Sequence, residues 1–211
     1  MNPRSGTGHT DVTDAATGVR LTVADGIAVW SMAIPAVESR HERRKAERMA
    51  VDRLVAAAFG PHARLGHEPS GAPYIYFDDD TLCDASETPR GISISHCADT
   101  AMLAVAPEGV AIGIDCEYFR PALRNVASRV LSPAEQAEWG DDDTMLLRAW
   151  TIKEAVYKAA STPGLPLAEG ISLPSPDTGK RPTARTADDR LFRLIFLQGF
   201  APAVTLAVGQ V

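Results

Sequence analysis

The chain has 211 residues, 45% of them apolar, which suits one large domain or two small halves sharing a core. Its formal charge is −6, from 21 basic and 27 acidic side chains, which speaks against a general nucleic-acid binder, whose footprint is basic. Its three cysteines (Cys83, Cys97 and Cys116) form no CxxC pair, so a reducing cytoplasm is expected rather than a disulfide framework or a zinc site, and no apolar run is long enough for a membrane span.

Residues 1–18 are small, polar and aperiodic, and are expected to form a mobile tail without the apolar centre of a signal peptide. LTVADGIAVWSMAI (21–34) reads as one strand, or as two with a turn at Asp25-Gly26. Residues 38–60 read as a helix, charged at first, then with Met49, Val51, Leu54, Val55 and Ala58 at helical spacing before Gly60-Pro61 stops it. A turn at Ser70-Gly71 leads into a short strand, and residues 91–107 read as a hairpin turning near Ala98-Asp99. AIGIDCE (111–117) adds a strand. Residues 124–139 hold two helical pieces, the second opened by Ser132 as N-cap with Pro133 in the first turn. Asp141–Asp143 cap a long helix reaching about Ala160, and LFRLIFLQGF with PAVTLAVGQ closes the chain as a hairpin. AMLAV (101–105) echoes VTLAV (204–208), and DRLVAAAF (52–59) echoes KEAVYKAA (153–160). Two α+β halves related by pseudo-symmetry would explain both echoes; chance likeness between alanine-rich segments is the alternative.

The chemistry concentrates in two places. On a strand, Asp115 and Glu117 point to one face while Cys116 points to the other. Paired carboxylates repel, and a hard cation such as Mg²⁺, which takes one or two carboxylates together with phosphate oxygens, relieves that repulsion. A strand end entering water is the plain alternative. Glu154 and Lys158 are spaced i, i+4 on a helix with Lys153 alongside, which is also the pattern of a surface ion pair. If Glu154 faces Asp115 and Glu117, three carboxylates ring a metal and Lys158 reaches a phosphate oxygen.

Four segments in order resemble the 4′-phosphopantetheinyl transferases of the surfactin-synthetase type: Ser70-Gly71-Ala72-Pro73, Ile94-Ser95-His96, Gly113-Ile114-Asp115-Cys116-Glu117, and Trp150-Thr151-Ile152-Lys153-Glu154-Ala155 followed by Lys158-Ala159. The resemblance implies an α+β pseudo-dimer of two similar halves, 19–110 and 111–211, with coenzyme A in the cleft between them. It implies transfer of the phosphopantetheine arm of coenzyme A to a serine of an apo acyl or peptidyl carrier protein, with 3′,5′-ADP leaving. Asp115, Glu117 and Glu154 would hold Mg²⁺, and Lys158, with Lys153 beside it, would steady the pyrophosphate. Glu135 would be the general base, although a first-turn acid favoured by the helix dipole is the other reading. His96 would reach a coenzyme A phosphate with Ser95 lining the pocket. Arg44 would grip the 3′-phosphate, with Arg40 and Arg43 as near alternatives and a solvated helix face as the plain one.

Two departures stand out. Ala72 replaces the lysine of the family's Gly-Lys-Pro, and Cys116 stands where isoleucine is common. The chain is expected to act as a cytoplasmic monomer, binding neither nucleic acid nor membrane, and Arg120, Arg124 and Arg129 are candidates for docking an acidic carrier. The rivals are another magnesium-dependent pyrophosphate-cleaving enzyme and a non-catalytic homologue that binds coenzyme A or carrier proteins. The first would need its own substrate motif, and the sequence has neither a P-loop nor a GxGxxG fingerprint.

Overall fold

The computed structural model describes residues 10–12, 18–23, 25–77, 90–177 and 182–210. Strands β1 (Thr10–Val12), β2 (Val19–Thr22) and β3 (Ala28–Ala33) form an antiparallel meander. Thus part of the segment expected to be a tail is strand; the rest of residues 1–17 lies outside the described residues. The β2–β3 turn uses Asp25 at φ 64° and Gly26 at φ 74°, a left-handed pair that matches the right-handed twist of a hairpin.

Helix α1 (Arg40–Phe59) opens with a capping box, in which Ser39 and Glu42 satisfy each other's backbone N–H groups, and ends at Gly60 with φ 100°. It buries Ala50, Val51, Leu54 and Val55. Met49, expected on that face, is instead 45% exposed. Two helical positions before Val51, it sits on the opposite side of the cylinder. Strands β4 (Ala63–His67) and β5 (Pro73–Phe77) make a separate hairpin, of which β4 was not expected. Strands β6 (Arg90–His96) and β7 (Thr100–Glu108) complete a first sheet of order β1-β2-β3-β7-β6.

The second sheet has order β8-β12-β11-β10-β9, made of β8 (Ile112–Glu117), β9 (Ile171–Ser172), β10 (Thr183–Thr186), β11 (Leu191–Leu197) and β12 (Ala203–Gly209). Between β8 and β9 come α2 (Ala122–Val126), a 3₁₀ turn at Ala127–Arg129, α3 (Pro133–Trp139), α4 (Asp143–Ala160) and α5 (Leu167–Gly170). Asp142 caps α4 by accepting from the N–H groups of Thr144 and Met145, and Ser161 ends it at φ 47°. Among the described residues no helix is long and apolar enough to cross a membrane.

The layers run α1, first sheet, second sheet, α4. Ile27, Val29 and Met102 of the first sheet share a core with Ile114, Cys116 and Leu206 of the second. A separate apolar cluster lies beneath each helix. Each sheet sets its first long strand beside its last, β3 next to β7 and β8 next to β12, with the remaining hairpin strand outside. The echoed segments fall on β7 and β12 and on the ends of α1 and α4. The sheets also meet edge to edge, where β6 runs beside β8 and serine hydroxyls replace a backbone ladder. Ser93 Oγ accepts from Ile114 N–H at 3.0 Å, and Ser95 Oγ accepts from Cys116 N–H at 3.2 Å.

Candidate functional site

β8 alternates as a strand must. Ile112, Ile114 and Cys116 enter the core between the sheets, and Gly113, Asp115 and Glu117 lie on the opposite face. Gly113 lets α4 lie almost on the strand, since a Cβ there would sit 1.9 Å from Ala155 O and 2.7 Å from Ala159 N. One turn along the same helix, Lys158 Nζ donates to Asp115 Oδ1 at 2.8 Å and to Ile114 O at 2.9 Å. Ser95 Oγ–H donates to the same carboxylate oxygen at 3.0 Å. Ser95 therefore ties the two sheets together and holds Asp115 at once. Thr151 on α4 and Thr205, the β12 residue paired with Asp115, bring their hydroxyls to 2.8 Å beneath the helix.

Burial raises the pKa of Asp115, outweighing the opposing pull of Lys158 and of the Ser95 hydrogen bond, and nearby Glu117 adds to the rise. Glu154 is also raised, by burial first and then by Asp115, with Lys158 working against them. It has no hydrogen-bond partner among the described residues. Glu117 accepts from Tyr118 N–H and from Arg120 Nη2, each at 3.0 Å. The three carboxylates expected to act together thus feel one another's charge, and a hard divalent cation suits such a donor set. As placed, however, Lys158 and Arg120 hold two of them, and among the described residues no group of three or more His, Cys, Asp or Glu stands close enough to hold a metal.

Asp115 and Lys158 line a cleft of about 960 Å³ between the β6 edge, the β4–β5 turn and the end of α4. Ser95, His96 and Ala72 also line it. A second hollow of about 510 Å³ adjoins it through His67, Ile94 and His96, and Arg44 and Arg48 on α1 close its far side. His96 is exposed, with Nδ1 3.9 Å from Glu47. Arg43 is held by Glu47 at 3.1 Å, and Arg40, exposed at the start of α1, lines neither hollow.

Two expected site residues lie elsewhere. Lys153 is 0% exposed, and its ammonium donates to Glu135 Oε2 at 2.7 Å, to Leu167 O at 2.9 Å and to Ile171 O. Burial lowers its pKa, with Glu135 opposing the fall. The other Glu135 oxygen accepts from Leu173 N–H at 2.9 Å, and Oε2 also accepts from Ser132 N–H at 2.9 Å. Glu135 is therefore the capping acid of α3 and the counter-ion of a buried lysine. The pair binds α3, α4 and the α5–β9 connection together, and neither residue lines either hollow. Of the arginines expected to dock a carrier, Arg120 sits on Glu117 and Arg124 on Asp143, while Arg129 is exposed at the 3₁₀ turn.

Arg48, His67 and Arg190 line the hollows and were not singled out from the sequence. Arg48 had a signal, standing one turn after Arg44 on the same helix face. His67 lies on the unexpected strand β4, and Arg190 comes from a loop distant in sequence from the motifs.

No curated protein matches the chain. Residues 111–205, from the turn before β8 into β12, match the family model of the 4′-phosphopantetheinyl transferase superfamily.

Proposed function

We propose that the chain is a 4′-phosphopantetheinyl transferase of the surfactin-synthetase type, moving the phosphopantetheine arm of coenzyme A onto a serine of an apo acyl or peptidyl carrier protein and releasing 3′,5′-ADP. The observation that carries this reading is the Asp115–Lys158 pair, which lines a cleft at the seam of the two sheets and lies within the segment that matches the superfamily. A cleft of about 960 Å³ is ample for a nucleotide-sized ligand. The likeness in strand order supports two similar halves arranged as a pseudo-dimer, with coenzyme A across the seam, working as a cytoplasmic monomer.

In this reading Lys158 meets a pyrophosphate oxygen, His96 a second phosphate, and Arg44 with Arg48 the 3′-phosphate; His67 and the two arginines stand in for the lysine that Ala72 replaces. The carrier serine oxygen bonds to the phosphorus that bears the pantetheine arm as the bond from that phosphorus to the ADP oxygen breaks, and the electron pair leaves on ADP. The serine proton passes to water in the open cleft, since Glu135, expected as the base, does not line it and Glu154 serves as a metal ligand in this reading. Asp115, Glu117 and Glu154 would hold Mg²⁺, whose charge would offset that building on the leaving phosphate.

The second reading, a homologue that binds coenzyme A without transfer, is favoured by the way Lys158 and Arg120 occupy the acids a metal would need. Intact-protein mass spectrometry of an apo carrier with this chain, coenzyme A and Mg²⁺, with and without EDTA, separates the two. A metal-dependent mass gain of one phosphopantetheine group is expected. No gain on fatty-acid, polyketide and peptide carriers, with coenzyme A still bound, would establish the second reading.

A further inference from the structure

We propose that Arg190, in the loop just before β11, is a positioning residue that clasps the end of α4 and so keeps the Lys158 ammonium in place. Nη1 donates to Ala160 O at 2.8 Å, Nη2 donates to Thr162 Oγ1 at 2.7 Å, and Nε donates to Asp188 Oδ2 at 2.8 Å. Thr162 Oγ1 in turn donates to Ala160 O at 3.2 Å, which closes the clasp. Ala160 O is one of the carbonyls that a helix end leaves without an intrahelical donor. The helix stops there on a non-glycine residue, Ser161 at φ 47°, a conformation that its surroundings must hold.

Lys158 is two residues before Ala160, on the turn that Arg190 fixes. Its long side chain must reach back across β8 to Asp115 Oδ1 and Ile114 O, and any fraying of that turn would release it. Arg190 itself is anchored. The Thr186 hydroxyl, and after it Arg190, hold the Asp188 carboxyl below its ordinary pKa, so this counter-ion keeps its charge, and the guanidinium lies 5.9 Å from the centre of the Phe192 ring. A planar fork reaches Ala160 O and Thr162 Oγ1 together, which a single ammonium does less well.

The inference rests on the transferase reading for its consequence but not for its test. Arg190→Ala and Arg190→Lys are compared with wild type by the acetylation rate of each lysine, read by peptide mass spectrometry without ligand. In Arg190→Ala, Lys158 is expected to react about tenfold faster, the equivalent of one lost charged hydrogen bond, while Lys153 stays protected. Arg190→Lys falls between the two, and added guanidinium restores protection to the alanine variant. An unchanged Lys158 rate, or a parallel rise at Lys153 that signals general loosening, overturns the proposal.

Coenzyme A affinity by calorimetry then reads the consequence. Arg190→Ala is expected to weaken binding about tenfold, and to add nothing when Lys158→Ala is already present. Additive losses would mean that Arg190 touches the ligand directly, and would overturn its action through Lys158. If wild-type protein binds no coenzyme A, the transferase reading fails while the lysine rates still decide the role of Arg190.

Discussion

The two sheet-and-helix layers share the order of three strands, β3-β7-β6 and β8-β12-β11, but treat their helices differently. Beneath α1 lie Trp30, Leu103 and Val105, bulky side chains that meet Val51, Leu54 and Val55 in an apolar contact. Beneath α4 lie Gly113 and Ala207, with Asp115 and Thr205 beside them, and the helix comes close enough for a strand Cβ to collide with its backbone. Among the described residues the two buried charged side chains, Asp115 and Lys153, both belong to the α4 layer. The first layer is held by volume, so it can lend its edge and surface (Ser95, His96, Arg44) to a cleft wall. The second is held by close approach and fixed charge, which is what a reacting centre needs.

The largest expected effect comes from Gly113→Ala. The added Cβ would meet the backbone of α4 rather than a movable side-chain end, so the helix must lift, at a cost of about 4 kcal/mol or more. Denaturant unfolding measures this. A loss below that of a cavity mutation such as Leu54→Ala in the α1 layer, about 3 kcal/mol, would break the contrast between the layers.

Lys153→Met comes next. It leaves Glu135 buried without its cation, an expected loss of roughly 3–5 kcal/mol in denaturant unfolding. The folded protein is expected to keep its coenzyme A affinity, because Lys153 faces Glu135 and two carbonyls rather than the cleft. A selective loss of affinity with stability intact would return Lys153 to the ligand site.

Glu154→Gln should have the smallest effect on stability, and the opposite sign. The folded chain holds the Glu154 proton more tightly than the unfolded chain does, so stability falls as pH rises from the ordinary 4.5 of a glutamate through the higher folded value. Above both values the ionised carboxylate is a standing cost. The glutamine variant should therefore gain about 1 kcal/mol at neutral pH, with a flatter dependence of melting temperature on pH, while losing transfer activity. A drop in stability would mean that Glu154 has a partner when ionised.

Much of the architecture was legible because its signals are local. Ser132 with Pro133 announces a helix start through neighbouring backbone geometry, and the alternation Ile112–Glu117 announces a strand with two acids on one face. Strand β4 was missed because ARLGH is short and only weakly alternating, and it gains its place from pairing with β5 and packing against α1.

The site was legible by half. Sequence alone determined that Asp115 and Glu117 share a face and that Glu154 and Lys158 share a helix side, since strand and helix periods follow from the backbone. It also carried the resemblance that pointed to coenzyme A. Which acids are free and which are spoken for was decided only by tertiary structure. Glu135 and Lys153 read like site residues, yet helix packing joins them to each other in the interior, where a charge is stable only with its partner. Arg190 bears no motif at all, and acquires a role because folding lays a loop from 30 residues later in the chain across the end of α4. Periodicity and capping are properties of neighbouring residues, whereas burial and charge pairing exist only once distant segments meet.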